Sequence, residues 1–281
     1  MHNFLSYICF ITLSNYERMK TIYQKKLCGG LGNQLFMVFY TISLSLKNNC
    51  DYYFIPNKQY IANDTRDIRG KTTLLFDNIA NKIDDKIKRP IIDDSHQIVK
   101  VKGTYNQVLD YNRFEEIINI IGFRNYQRTI KNKYRNTFNP KYKYVSIHFR
   151  YTDYKNKNCH QIIKENYYIN CLNLLLKNED INKLKFLIFF ERYDSDILKI
   201  ISILKNMFNI NYEIINPKID ADETLVIQSI CNYNIIANST FSLWSALLND
   251  NIDRKVFSPK NCKNTHNAIY RHYNFISVSI Y

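Results

Sequence analysis

Residues 144–149 read Tyr-Val-Ser-Ile-His-Phe, an apolar run typical of a buried strand, and the polar turn 150–154, Arg-Tyr-Thr-Asp-Tyr, follows it directly. From here to residue 257, apolar runs of strand length alternate with segments of helical period. We predict strands over 144–149, 184–190, 212–215, 234–237 and 255–257, and helices over 162–177, 197–208, 222–231 and 240–249. This alternation predicts an α/β fold with a parallel sheet. Ligands of such sheets bind just beyond the carboxyl ends of the strands.

A second strand, turn and helix are predicted near the start of the chain. Residues 21–27 form a strand, 28–34 a glycine-rich turn and 35–46 an apolar helix. The N–H groups that begin such a helix can face an anion. Between residues 48 and 140 the apolar runs are short, and the pattern predicts one helix, over 114–121.

These patterns divide the chain into three parts. Residues 1–18 are an N-terminal extension, 19–140 an N-terminal α/β lobe and 141–281 a C-terminal α/β lobe. The apolar run at 4–13 is shorter than the roughly 20 residues that span a bilayer. We therefore expect membrane association that is weak or peripheral at most. The odd number of cysteines, without a C-x-x-C pair, is typical of reduced thiols, so we expect a cytoplasmic protein.

The charge of the 281-residue chain is strongly positive. Lys and Arg number 39 against 25 Asp and Glu, which gives a formal net charge of +14. Such a field attracts anions: nucleic acid, acidic membranes or phosphorylated substrates. The basic residues are spread along the chain without a block of five, whereas nucleic-acid binding favours a clustered stripe. We therefore expect no nucleic-acid partner.

Metal ligands are not arranged in any known pattern. The chain has seven cysteines and no C-x-x-C pair, and its histidines lack ligand-like spacing, so no metal site is predicted. Two short acidic pairs, Asp194-Ser-Asp196 and Asp220-Ala-Asp222, each precede a predicted helix. Some glycosyltransferases use such pairs to hold a metal and a nucleotide, but helix capping is the interpretation that we favour.

Two segments after predicted strands carry side chains suited to an anion. His148 and Arg150 are two residues apart and so share one face of a strand end. The Arg150 guanidinium can bind a phosphate through two nitrogens, or it can pair with Asp153. The other segment, Asn238-Ser-Thr240, opens a helix. Its hydroxyl and N–H groups suit an oxygen-rich anion, and they are equally typical of an N-cap.

Three segments taken together resemble glycosyltransferase family 11, the α-1,2-fucosyltransferases. They are 29–36, Gly-Gly-Leu-Gly-Asn-Gln-Leu-Phe; 145–154, Val-Ser-Ile-His-Phe-Arg-Tyr-Thr-Asp-Tyr; and 235–249, Ile-Ile-Ala-Asn-Ser-Thr-Phe-Ser-Leu-Trp-Ser-Ala-Leu-Leu-Asn. The resemblance implies a GT-B-like enzyme with two Rossmann-like lobes. It implies transfer of L-fucose from GDP-fucose, with inversion, to the 2-OH of a galactose-containing glycan. Neither a metal nor a cofactor beyond the donor is implied.

The resemblance also assigns site residues. Arg150 matches the arginine that binds the donor diphosphate, and His148 and Asp153 fall on the same motif. The matching donor-site positions in the two other segments are Gly30, Asn33, Gln34, Asn238, Ser239 and Thr240. Asp153 and Glu191 are both candidates for the base that takes the acceptor proton, as is an unidentified acid of the N-terminal lobe; late passage of the proton without a dedicated base is a further alternative.

The chain also departs from the family pattern. Tyr151 stands where the family has a second arginine, and Thr152 where glycine is common. The strand that ends at 190 is followed by 191–196, Glu-Arg-Tyr-Asp-Ser-Asp, instead of Ser-Asp-Asp. Leu243 and Ser245 replace a usual Trp and Gly. These departures leave two alternatives open: a transferase of another nucleotide sugar, and a catalytically weak carbohydrate- or nucleotide-binding relative.

Overall fold

The structure is a computed structural model that describes residues 19–27, 29–56, 78, 97–100, 109–151, 154–156, 161–260 and 266–281. The predicted extension 1–18 and the site candidate Asp153 lie outside the described residues.

Strands and helices alternate along the described part of the chain. The strands are β1 Met19–Leu27, β2 Asp51–Pro56, β3 Gln97–Lys100, β4 Lys143–His148, β5 Leu184–Phe189, β6 Tyr212–Ile214, β7 Tyr233–Ile235, β8 Lys255–Lys260 and β9 Ile276–Ser279. The helices are α1 Leu31–Asn48, α2 Phe114–Ile121, α3 Phe123–Lys133, α4 Glu165–Leu175, α5 Ser195–Phe208, α6 Ala221–Ser229, α7 Thr240–Leu247 and α8 Asn267–His272. Short 3-10 turns lie at 111–113, 154–156 and 181–183.

The strands form two parallel sheets. The first has the order β2-β1-β3, and the second has the order β6-β5-β4-β7-β8-β9. Numbered along the chain, the second sheet has the order 3-2-1-4-5-6, which is that of dinucleotide-binding Rossmann folds. The predicted α/β class is confirmed, as is the parallel sheet of the C-terminal lobe; the GT-B-like pair of Rossmann-like lobes stays a prediction.

The large sheet is covered on both faces, as its continuous apolar strands require. One face packs against α4 and α5 through buried residues such as Tyr167 and Leu204. The other face packs against α6, α7 and the helices α1–α3. Trp244 is fully buried here, with its ring centroid 4.9 Å from that of Phe36 and 4.5 Å from that of Phe39. One core thus joins α7 to α1, so the two lobes share apolar packing.

The structure corrects several predicted elements. The strand series does not end at 257, because β9 pairs in parallel with β8 as a sixth strand. The segment 48–140 contains β2, β3 and α3 in addition to the predicted helix. Helix α1 begins at Leu31, inside the predicted turn. The lobe boundary at residue 140 stays a prediction; the turn between α3 and β4 contains it. Within the described ranges, no helix is long and apolar enough to cross a membrane.

Candidate functional site

The site candidates of the C-terminal lobe lie where the strand order reverses, between β4 and β7. Residues of β4 pair with residues 41 positions later on β5 and 88 positions later on β7, as Val145 does with Phe186 and Tyr233. Continued past the strand ends, this register places Arg150 level with Glu191 and Asn238. Ligands of open α/β sheets bind at such a reversal point.

Arg150 is held by groups on both sides. Its Nη1 donates to Glu191 Oε2 at 3.0 Å, and its guanidinium carbon lies 5.3 Å from the centroid of the Tyr154 ring. The side chains of Arg150 and Glu191 are 15% and 23% exposed, so the ion pair borders solvent. A guanidinium has five N–H donors in a planar fork, and this one lies at the reversal point of the strand order, partly exposed to solvent.

Tyr154 connects the segment after β4 to the segment after β7. Its hydroxyl donates to the Asn238 carbonyl oxygen at 3.1 Å, while the face of its ring contacts the Arg150 guanidinium. The Asn238 side chain donates in turn to the Gln161 carbonyl oxygen at 2.7 Å. Arg150 therefore has a support on the β7 side of the crevice that is separate from Glu191.

His148 is buried and uncharged at neutral pH. Burial, followed by the nearby Arg150 charge, lowers the pKa of His148 to about 3. The ring packs against Phe241 in the first turn of α7, with a centroid distance of 5.7 Å. Its Nδ1 has no hydrogen-bond partner among the described residues. His148 therefore adds a polar edge beside Arg150 but no positive charge.

The start of α7 is close to the glycine-rich loop of the other lobe. Ser239 caps the helix by accepting a hydrogen bond from the Phe241 N–H at 3.3 Å, which is the N-cap alternative; its donor-binding role stays a prediction. The Thr240 hydroxyl donates to Asn33 Oδ1 at 3.0 Å. Gly32 packs so closely that a Cβ there would lie 2.5 Å from the Thr240 carbonyl carbon. The structure thus brings Asn33 together with Thr240.

The remaining loop candidates serve the turn itself. Gly30 stands at the N-cap of α1 in extended conformation, and its carbonyl accepts from the Asn33 and Gln34 N–H groups. The Gln34 side chain is 7% exposed and donates to the Gly29 carbonyl oxygen at 2.8 Å. Gly29 has a φ of 80°, which glycine adopts easily. The structure therefore shows Gln34 shaping the loop.

The acidic pair at 194 and 196 holds a lysine. Lys155 Nζ lies 2.7 Å from Asp194 Oδ2 and 2.8 Å from Asp196 Oδ2. Asp194 also caps α5 by accepting from the Asp196 N–H, as predicted. Asp220 stands at the start of α6 without a side-chain cap bond. In the described part of the chain, no three His, Cys, Asp or Glu side chains are grouped as metal ligands are.

Tyr151, which stands where glycosyltransferase family 11 has a second arginine, is part of the core. Tyr151 is 4% exposed, and its hydroxyl donates to the Ile163 carbonyl oxygen at 2.7 Å. Burial raises the pKa of Tyr151, so its hydroxyl stays protonated. Tyr151 thus binds the segment before α4 and leaves Arg150 as the arginine of this motif.

Two features of the site are not predicted from the sequence. Glu191 is predicted only as a candidate base, yet it is the ion-pair partner of Arg150. The predicted strand ends at 149 and 190 are 41 residues apart, the offset that sets Arg150 level with Glu191, so the sequence holds a signal for this pair. The role of Tyr154 depends on the fold of the turn after β4, for which the sequence holds no comparable signal.

Comparisons with known proteins give remote likenesses. No protein-family model and no curated protein matches the chain. Among solved structures, the chain is similar to the α-1,6-fucosyltransferase NodZ co-crystallised with GDP (13% identity, 82% of this chain and 92% of that chain, TM-score 0.44). It is also similar to Escherichia coli ADP-heptose lipopolysaccharide heptosyltransferase II (10%, 88% and 88%, 0.46) and to a mutant of Arabidopsis thaliana FUT1 in complex with GDP (11%, 88% and 72%, 0.49). At such identities and scores the likeness says nothing about the reaction of this chain.

Two buried histidines predict how stability depends on pH. Burial lowers the pKa of His266 to about 4, and that of His148 is about 3, whereas the unfolded chain has the ordinary value of 6.5. Below pH 6.5 the unfolded state therefore binds protons that the folded state does not. The free energy of unfolding is expected to fall from pH 6.5 towards pH 4, by at most about 1.4 kcal/mol per pH unit for each histidine.

Urea unfolding at pH 7 and pH 5 measures this effect. His148→Asn should lose less stability than the wild type between these two values. The matched control is His272→Gln, because His272 is exposed on α8. An identical pH dependence in the wild type and His148→Asn would contradict the prediction.

Proposed function

We propose that this chain is an inverting glycosyltransferase that transfers L-fucose from GDP-fucose to the 2-OH of a galactose-containing acceptor. The donor specificity and the linkage come from the resemblance to glycosyltransferase family 11. The observation that carries the proposal is the position of Arg150. It stands at the reversal point of a Rossmann-type sheet, level with the start of α7 and supported by Tyr154.

The chemistry of the reaction explains why this position matters. When the acceptor oxygen attacks the sugar carbon from the face opposite the leaving group, the sugar–phosphate bond breaks and its electrons pass to the diphosphate. Fixed cations and N–H donors aimed at that charge lower the barrier. Arg150 supplies the cation, and the first turn of α7 supplies N–H groups and the positive end of a helix dipole. His148 stays neutral at the pH of the reaction, so it adds no positive charge, and Arg150 supplies the cation.

The acceptor proton must pass to a base. Asp153 and Glu191 remain the candidates in the C-terminal lobe. Glu191 is the one whose position is described, 3.0 Å from Arg150. We propose that the reaction uses no metal. A fixed guanidinium can stabilise the negative charge that a metal ion would otherwise stabilise, and the acidic pair Asp194 and Asp196 already binds Lys155.

A transfer assay tests the proposal. Purified full-length chain is incubated with GDP-fucose and a panel of β-galactosides, with and without EDTA, and the product linkage is read by NMR. We expect an α-1,2-linked fucose and equal rates with EDTA. Parallel reactions with GDP-mannose, UDP-galactose and ADP-heptose test the alternative of another donor, which the buried Tyr151 in place of a second arginine favours. Neither turnover nor binding of GDP-fucose would overturn the proposal.

A further inference from the structure

The pairing of Arg150 with Glu191 raises a question of charge at the proposed donor site. The guanidinium that would bind a diphosphate already has a carboxylate at 3.0 Å. His148 beside it is neutral. In the absence of a ligand, the positive charge of Arg150 is thus balanced by an acid of the same lobe.

A carboxylate and a phosphate bind a guanidinium through the same N–H groups, so they compete for them. A diphosphate near Glu191 would also be repelled by its negative charge. The ion pair is only partly buried, with side chains 15% and 23% exposed, so an anion from solvent can reach it. Separating a pair of this kind costs less than separating one in a dry core.

Arg150 has a support other than Glu191. The ring of Tyr154 lies against the guanidinium at 5.3 Å, and the Tyr154 hydroxyl is anchored on the Asn238 carbonyl oxygen at 3.1 Å. This support comes from the turn after β4 and the end of β7, on the side away from β5. Loss of the carboxylate would therefore leave the guanidinium supported.

We propose that Glu191 is an internal counter-ion that an incoming diphosphate displaces from Arg150, and that it thereby sets the affinity of the site for its donor. The proposal rests on the proposed function in that the displaced ion pair belongs to the donor site. The proposal adds Glu191 to the donor site as a residue that weakens donor binding, whereas Arg150 strengthens it.

The test is the affinity for GDP and for inorganic pyrophosphate, measured by calorimetry on the full-length chain. Glu191→Gln should bind both about 5- to 20-fold more tightly than the wild type, because the competing charge is gone and the shape is kept. Glu191→Ala is the second variant, and circular dichroism checks that both are folded.

The matched control is Asp194→Asn, which removes one negative charge from the same loop. Asn caps helices as well as Asp does, and Lys155 keeps Asp196 as a partner. Its affinity for GDP should change less than twofold. An equal gain in Asp194→Asn and Glu191→Gln would overturn the proposal, since the gain would then reflect net charge alone.

Arg150→Ala provides the final arm. In the Arg150→Ala background, adding Glu191→Gln should produce a clearly smaller gain in affinity, because only the repulsion between Glu191 and the diphosphate is then relieved; an undiminished gain would contradict displacement from Arg150. Weaker binding in Glu191→Gln would identify Glu191 as a support of Arg150, and unchanged binding would show that Glu191 does not compete with the diphosphate; either result would overturn the proposal. If GDP binds neither the wild type nor Glu191→Gln, but pyrophosphate binds Glu191→Gln more tightly, the role of Glu191 as a counter-ion is supported and GDP-fucose is ruled out as the donor.

Discussion

Replacing Arg150 by alanine is expected to lower the rate of fucosyl transfer by about 10²–10³-fold, the usual cost of removing one group that stabilises transition-state charge. The reason is its position beyond β4, level with the start of α7, where the leaving diphosphate would lie. Arg150→Lys keeps the charge but loses the planar fork, so its rate should fall between those of Arg150→Ala and the wild type. Initial rates at saturating acceptor and GDP affinity by calorimetry measure both effects.

Arg192→Ala is the matched control for this prediction. Arg192 lies in the segment after β5, is exposed, and carries the same charge as Arg150. Its removal should leave transfer within about threefold of the wild type, the scale of a screened surface charge. Full activity of Arg150→Ala would show that the donor site is assigned to the wrong residues, while leaving the transferase assignment intact.

The architecture of the C-terminal lobe was predictable because its central strands are buried on both faces. Apolar runs such as 186–189, Phe-Leu-Ile-Phe, predict strands of this kind. Strand β9 was missed because it is a short edge strand in which Val278 alone is buried. Helix α3 was missed because its exposed face is strongly polar; Phe123 and Ile130 are its buried apolar residues.

The candidate site was predictable only in part. Arg150 could be found from sequence because it directly follows a strand, and strand ends converge in a parallel sheet. Its partnership with Glu191 emerges only when the ends of two distant strands are set level, 41 residues apart, and not from the residues around either strand end. Tyr151 shows the opposite case, a residue that a motif wrongly suggests for the site. Its position beside Arg150 suggests a place in the site, but the fold buries its side chain in the core. Tertiary packing decides which residues of a motif face the crevice.

The contact between the two lobes at Gly32 and Thr240 leads to the second large effect. A Cβ on Gly32 would lie 2.5 Å from the Thr240 carbonyl carbon, 2.6 Å from the Phe241 nitrogen and 2.7 Å from the Thr240 oxygen. All three are backbone atoms, so no side-chain rotation can relieve the overlap. Helix α7 is also fixed by Trp244, which is packed between residues of α1 and α2. The helices α1 and α7 would have to move apart.

Gly32→Ala is therefore expected to lower the free energy of unfolding by about 1–3 kcal/mol, as overpacking of a close contact does. Transfer should fall by about 10- to 100-fold, because the Asn33–Thr240 hydrogen bond would lengthen and the lobes would be misaligned across the donor site. The alanine helix propensity, worth about 0.5–1 kcal/mol over glycine, works in the opposite direction and is outweighed by the backbone overlap. Urea unfolding and initial rates measure the two effects.

Gly30→Ala is the matched control for stability. Gly30 has a φ of −63°, and no heavy atom lies within 4 Å of the position of its Cβ, so alanine fits without strain. Its free energy of unfolding should stay within about 0.5 kcal/mol of the wild-type value. Unchanged stability in Gly32→Ala would mean that α1 and α7 do not touch at this point in solution. If both variants were destabilised equally, the loop would be sensitive to any added methyl group, and the contact with Thr240 would not be the cause.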